Sequence, residues 1–466
     1  MRKRITIATL ISLTASMSLT YPALAQSGTQ ESQSVTSFQA QTSYDESQAT
    51  QVTLANQMAT VTGQGASFSD QTLTISQAGT YVLTGSGKNL KLVVEAADTD
   101  QVHLVFQNLT LEGEGTLLQI NKAQEVVISL AEGSQNALTE SQASDDEKVK
   151  ATIHSQVPLT LNGTGNLTLT ALTKNALEVE DDLKVLGGTI TVSQSEEGLE
   201  ARVIRQLGGD VTIKSSDDGV NASAGSSSKT TDTSATSKPT EASATSNSAT
   251  ASAPNRQATA DSAATGQTDQ ANKDKNQTPP APPAGQAPPQ GGQPPQGGQG
   301  PGGMPPGGQE ESDPSLQIIL AGGTLTVDAE GDGIDSNGTV TISGGSLVVN
   351  GSVQGGNGPL DASGDITITG GTVWALGTSD MLQGFAQGST QASITANIAG
   401  TAGQTLIILD ANGKEVARQT ASKDFQAVIM SSADLVDGQT YTVQVDGTTQ
   451  TATAALVTPV TGGFHP

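Results

Sequence analysis

Cysteine is absent from all 466 residues. Its absence excludes a disulfide framework, thiol catalysis and a lipid-anchored cysteine together. Aromatic residues are scarce, at 2% of the chain with a single Trp. A compact globular core normally draws on more of them, whereas short strands joined by tight turns need Gly, Ser, Thr and small aliphatics. Positive charge is also thin: 21 Lys and Arg stand against 46 Asp and Glu, a net charge of −25. Nucleic acid and anionic lipid surfaces would be repelled by such a chain. Cations, or partners bridged by cations, are favoured. Past the amino terminus no apolar run is long enough to span a bilayer, so no membrane insertion is expected.

What is present begins with Arg2, Lys3 and Arg4, the apolar run ITIATLISLTASMSL and the small-residue site Ala23-Leu24-Ala25. This is the pattern of a secretory signal peptide over residues 1–25, cleaved near Ala25, and it predicts an exported protein, free or held at the extracellular surface. Residues 26–60 are rich in Gln, Ser and Thr and read as a flexible leader. Alternating aliphatic and polar residues then predict strands over 61–222 and again over 315–390. Between them, residues 223–314 turn Ser/Thr/Ala-rich and then Pro/Gly/Gln-rich, a composition that predicts disorder. This segment reads either as a long loop thrown out of one coil or as a linker between two domains. Residues 391–450, with turns at DANGKE and VDGTT, predict a small β cap or module, and 451–466 a tail.

Two motifs keep one period. The first centres on Leu177, Leu199, Val220, Ile334 and Leu360, in KNALEV, EEGLEA, DDGVNA, DGIDS and GPLDA. The second is a Gly pair followed by a β-branched strand, starting at Gly187, Gly208, Gly322, Gly344 and Gly370. Steps of 21 and 22 residues (177 to 199 to 220; 187 to 208) with about three short strands each fit the coils of an all-β parallel β-helix. Alternation along the first motif then points Glu178, Glu200, Asn221, Asp335 and Asp361 outward in one column. Rungs about 4.8 Å apart would let a cation touch carboxylates from two rungs, and hard oxygen donors without Cys favour calcium.

The segments NGTGNLTLTA, EDDLKVLGGTITV, SDDGVNAS, GDGIDSNGTVTISGG, GPLDASGDITITGGTVWALG and SSADLVDGQTYTV together resemble the secreted bacterial carbohydrate-binding β-helix proteins. Members of that family bind calcium and acidic, pectin-like polysaccharides and are similar in fold to pectate lyases. The resemblance implies a right-handed parallel β-helix with calcium held by Asp side chains on its surface; the first function read from it is a calcium-dependent, non-catalytic binder of acidic polysaccharide, expected as a monomer. The resemblance also implies calcium ligands at Asp181, Asp182, Asp217, Asp218, Asp332, Asp335 and Asp361. Departures from the family pattern are Glu-Glu-Gly-Leu-Glu at 196–200, Gly-Pro at 358–359 and Asn221 in place of a charged residue.

Two other functions are open at this level. A calcium-dependent polysaccharide lyase would need a Lys or Arg base, and Lys184, Arg202, Arg205 and Lys214 are the basic residues nearest the acidic rungs. A surface adhesin would make the 223–314 segment the working part. Trp374 reads as packing rather than as a sugar platform. His103 and His154 have no Ser or Cys at triad spacing, so nucleophilic catalysis has no support.

Overall fold

Strands such as Thr324–Ala329 alternate strictly, with Leu325, Val327 and Ala329 buried and Thr324, Thr326 and Asp328 turned away from the core. The aliphatic partners of such strands, drawn from every turn of the chain, make one continuous interior. A computed structural model describes residues 34–225 and 312–458, which belong to one compact unit. The expected signal peptide, the start of the stretch read as a leader, residues 226–311 and the last eight residues lie outside the described residues. The described chain is all-β, without a helix. Its large sheet is mixed: parallel through the middle, antiparallel at both ends.

The parallel strands form three ladders. The first joins Lys91–Glu95, Leu118–Lys122, Ala151–Ser155, the start of Asn175–Val185, the start of Leu199–Gln206, Val220–Ala222, Ile334–Ser336 and Leu360–Ala362. The second runs through the far ends of Asn175–Val185 and Leu199–Gln206 to Gln317–Leu320 and Thr339–Ile342. The third carries the strands after the Gly pairs, from Thr189–Gln194 through Asp210–Ser215, Thr324–Ala329 and Ser346–Asn350 to Thr372–Gly377. All three ladders pass directly from the residues before 226 to those after 311: Val203 pairs with Gln317, Asp210 with Thr324 and Val220 with Ile334.

The Gly pairs have a steric cause. Gly188, Gly209, Gly323, Gly345 and Gly371 all have positive φ, a conformation that only glycine adopts without strain. They also stack on one another. A Cβ on Gly323 would lie 2.1 Å from the Gly209 carbonyl oxygen, and one on Gly371 2.8 Å from that of Gly345.

The strand series starts earlier than the sequence indicates. Thr50–Asn56 and Met58–Thr62 form an antiparallel hairpin inside the stretch read as a leader. Ahead of it, residues 34–49 lie against Glu125–Leu130 and Leu159–Gly163, which extend the second ladder back from Asn175–Val185: Asn162 Nδ2 donates to the carbonyls of Gln39 (2.7 Å) and Gln41 (2.9 Å), and Gln39 Nε2 to Glu125 (3.0 Å). These contacts join residues far apart in the chain and leave no periodic signature, which is why composition alone suggests flexibility there.

At the other end, Ala427–Ser431 runs antiparallel to both Thr372–Gly377 and Ser393–Ala396. A separate four-stranded antiparallel sheet is built from Thr405–Leu409, Glu415–Thr420, Thr440–Val445 and Thr448–Thr453. It has its own core of Leu406, Ile408, Tyr441 and Val443, into which Trp374 is buried. The tryptophan is therefore packed and offers no face to a sugar.

Candidate functional site

On the first ladder one row of side chains points away from the core. The pairing register sets Gln119, His154, Glu178, Glu200, Asn221, Asp335 and Asp361 side by side on successive rungs. A second row runs along the turn that leads into this ladder. There the backbone of Gly198 donates to the carbonyl of Asp218 (3.1 Å), Gly219 to Asp332 (2.9 Å) and Gly333 to Gly358 (3.0 Å), which stacks Glu197, Asp218 and Asp332. Each turn acid precedes its strand residue by three positions with a glycine between: Glu197 and Glu200, Asp218 and Asn221, Asp332 and Asp335. The glycine is dictated by packing. A Cβ on Gly219 would sit 2.5 Å from the Gly333 carbonyl, and one on Gly333 2.5 Å from that of Pro359.

The two rows shelter one another. Alternation places the strand row outward, yet Glu178 is only 6% exposed and Asn221 9%, and Glu200, Asp335 and Asp361 are half-buried. Alternation reports the direction of a side chain and not what flanks it; here the turn row supplies the flank. Burial and mutual repulsion act in the same direction on these acids. Burial, then the charges of Asp218, Asp332 and Asp361, push Asp335 up to about 8. Burial, partly offset by a hydrogen bond from the Gly358 backbone, leaves Asp332 at about 7, and Asp218 is raised to about 6. Glu197 rises to about 8 and Glu178 to about 7, each through burial first and the Glu200 charge second. Asp361 is raised as well, by burial.

Hydrogen bonds tie parts of the cluster together. Asp218 Oδ1 accepts from the backbone of Asp332 (2.7 Å), and Glu200 accepts from Asn175 Nδ2 (2.5 Å) and the Ser223 hydroxyl. Asn221 donates to Glu197 at 3.5 Å, while its Oδ1 is buried without a partner. Such an acceptor oxygen is open to a hydrogen-bond donor, a water or a cation. Space is kept for the acids at Gly331, where a Cβ would lie 2.5 Å from an oxygen of both Asp217 and Asp218. All-oxygen donors at this density suit a hard cation. Among the described residues, however, no three His, Cys, Asp or Glu side chains stand close enough together to hold a metal ion as they are placed.

Of the seven aspartates proposed as ligands from sequence, the structure gathers Asp218, Asp332, Asp335 and Asp361, with Asp217 exposed at the rim. Asp181 and Asp182 are not among them. The register shifts between Val179 and Asp182, and Asp182 pairs with Val203 on the second ladder. There it forms ion pairs with Arg205 and with Lys184 (3.5 Å), while Asp181 points into solvent. The acids that join the groove without having been named as ligands are Glu178, Glu197 and Glu200. Their signal was the same three-residue spacing around an Ala or Gly.

The basic residues considered as a lyase base are engaged elsewhere. Lys184 and Arg205 are held by Asp182, Arg202 donates to Ser315 (2.9 Å), and Lys214 belongs to the third ladder. His154 sits at the end of the acid row, between Gln119 (3.0 Å) and Glu180 (3.1 Å). His103 does meet a serine in space: Nε2 lies 2.7 Å from Ser129 Oγ, which in turn reaches Asn162 at 2.5 Å. The pair is fully buried, with Gln41 and Thr80 rather than a carboxylate at Nδ1. It anchors residues 34–49 and lacks the third member of a triad.

Comparison with known proteins bears on residues 69–278, less than half of the chain, which match a family model described as carbohydrate-binding domain-containing protein. A carbohydrate-binding domain-containing protein of Acetivibrio thermocellus is 31% identical over 134 residues. That match covers 28% of this chain and 47% of the relative, so the chain spans about half the length of the relative it matches. A solved structure, the polysaccharide lyase-like protein from C. thermocellum in a gadolinium derivative, is 20% identical, with a TM-score of 0.45 over 71% of this chain and 99% of the other. The chain is thus similar, over part of its length, to proteins described as carrying a carbohydrate-binding domain.

Proposed function

We propose that the chain is an exported, non-catalytic, calcium-dependent carbohydrate-binding protein that recognises acidic, uronate-containing polysaccharide along the two acid rows. In this reading the three ladders are the faces of a right-handed parallel β-helix, and the amino-terminal signal sequence is removed near Ala25. The observation that carries it is the pair of stacked carboxylate rows with the unsatisfied Asn221 Oδ1 enclosed between them. The carbohydrate part is supported by the partial family match.

Asp218, Asp332, Asp335 and Asp361 would hold the cation, with Asp217 at the rim. Calcium, when bound, supplies a hard positive charge that protein and glycan carboxylates can share. The protein's own contribution is to hold the acids at rung spacing at a cost in repulsion, so that binding of a cation relieves a strain already present. Gly219 and Gly333 let successive turns stack closely enough to hold the acids at that spacing, and Gly331 leaves room for Asp217 and Asp218. Without the cation, a chain of net charge −25 would repel a polyuronate.

The test is calorimetry of calcium binding, followed by titration with oligogalacturonate in calcium and in EDTA. Saturable binding in calcium that vanishes in EDTA is the expected result. Binding unchanged by chelation would overturn the calcium bridge.

A further inference from the structure

We propose that the amino-terminal end of the strand stack is a self-association edge, at which a second copy of this chain adds its terminal strands antiparallel to those of the first. The stack begins with two hairpins, Thr50–Asn56 with Met58–Thr62 and Ala66–Ser69 with Thr72–Ile75. Met58–Thr62 pairs with Thr50–Asn56 and Ala66–Ser69 with Thr72–Ile75; among the described residues neither has a strand on its outer side. Their outer amide and carbonyl groups are therefore a template for another strand.

Three observations say what fits there. The opposite end of the stack is covered by Ala427–Ser431, whereas Ala59, Val61, Ala66 and Phe68 are only partly covered over the end of the core. Met58 is 63% exposed, more than any other large hydrophobic side chain among the described residues. Natural sheet edges are normally protected by charge, proline or bulges, but no charged residue and no proline lies between Glu46 and Asp70. In a chain with 46 acidic residues, a neutral edge is where a second, equally acidic copy can approach with least repulsion. Identical strands paired antiparallel about a two-fold axis satisfy each other's edge groups equally. The dimer departs from the monomer expected from sequence. It would present two acid grooves to one polymer, a consequence that rests on the proposed function, although the pairing itself does not.

Sedimentation velocity of the full mature chain over a concentration series, in EDTA, tests the pairing apart from calcium and glycan. The expected result is a monomer–dimer equilibrium that shifts entirely to monomer in Thr60→Lys/Ser67→Lys, with circular dichroism unchanged. In calcium the same variant should bind a short oligogalacturonate as the parent does and lose about tenfold or more in apparent affinity for long polymer. If the double variant misfolds, Met58→Lys, whose side chain lies mostly in solvent, takes its place. A parent chain that stays monomeric at every concentration, or a dimer that survives these substitutions, would refute the proposal. Loss of glycan binding with the dimer intact would count against the functional reading alone.

Discussion

Asp182 and Asp335 are both strand aspartates on rungs of one stack, yet their surroundings are opposite. Asp182, on the second ladder, is flanked by Arg205 and Lys184. Asp335, on the first, stands beside Asn221, and the charges nearest it are the carboxylates of Asp218, Asp332 and Asp361. Compensation of charge separates the two faces more cleanly than the count of acids does. Glu178 has Lys150 nearby, but the charges around Asp335 are all acidic. A fold that needed charge only for solubility would have no reason to stack half-buried acids there, where each neighbouring pair repels by about 1 kcal/mol even in water-like dielectric. The second face carries its own cations, whereas the charges nearest Asp218, Asp332 and Asp335 are those of other acids.

The largest contrast should come from calcium affinity. Asp332→Asn/Asp335→Asn is expected to weaken calcium binding by at least about 100-fold, roughly 2.7 kcal/mol. Asp182→Asn should leave it within about twofold. Calorimetry on both variants decides the matter, and equal losses would dissolve the distinction between the faces.

Stability should respond in the reverse order. Asp182→Asn leaves two largely buried cations short of a partner and is expected to cost about 1–3 kcal/mol in urea unfolding. Asp335→Asn in EDTA at pH 8 removes repulsion and should raise the urea midpoint. A fall in the midpoint there would mean that the acid row is compensated by something other than a cation.

Much of this arrangement is legible in the amino-acid order. Leu177, Leu199, Val220, Ile334 and Leu360 recur around turn glycines, and the register pairs them rung by rung. Inward aliphatics carry that information because one buried side chain at a fixed step determines its neighbours' faces. The position of Asp182 is not legible in this way. Only three residues separate it from Glu178, but the strand Asn175–Val185 turns a corner between them, and a register shift after Val179 carries Asp182 to another ladder. The depth of the groove is hidden for a related reason, since Glu178 is enclosed by residues of neighbouring turns, beyond the reach of strand alternation. Residues 34–49 pack through Gln39 and Gln41 onto Asn162, more than a hundred residues away, and no local pattern announces such a contact.

pH separates the faces more gently. Asp335 and Glu197 at about 8, Asp332 and Glu178 at about 7 and Asp218 at about 6 all stand above their ordinary values of 3.8 and 4.5. The folded chain therefore holds more protons than the unfolded chain between about pH 4 and pH 8, and its stability falls as pH rises through that window. In EDTA the melting temperature should be lower at pH 8 than at pH 5 by several degrees, of the order that about 1–2 kcal/mol produces in a domain of this size. Calcium should close the gap, because it replaces the protons that the acids lose. A melting temperature that rises with pH in EDTA would contradict the direction assigned to these groups.

The smallest effect, and the most specific, concerns Asn221. It is an amide that stands directly between two acids of the strand row, Glu200 and Asp335. Its unpartnered Oδ1 makes it a neutral ligand in the proposed cation site. Asn221→Asp would place a formal charge at the same point with nearly the same shape. Calcium affinity should then rise by about three- to tenfold, roughly 0.7–1.4 kcal/mol, while stability in EDTA falls by about 1 kcal/mol through added repulsion. Asn221→Leu, which keeps the volume but removes the acceptor, should move both quantities the opposite way. If the two substitutions shift calcium affinity in the same direction, Asn221 is a packing residue and the cation site lies wholly on the aspartates beyond it.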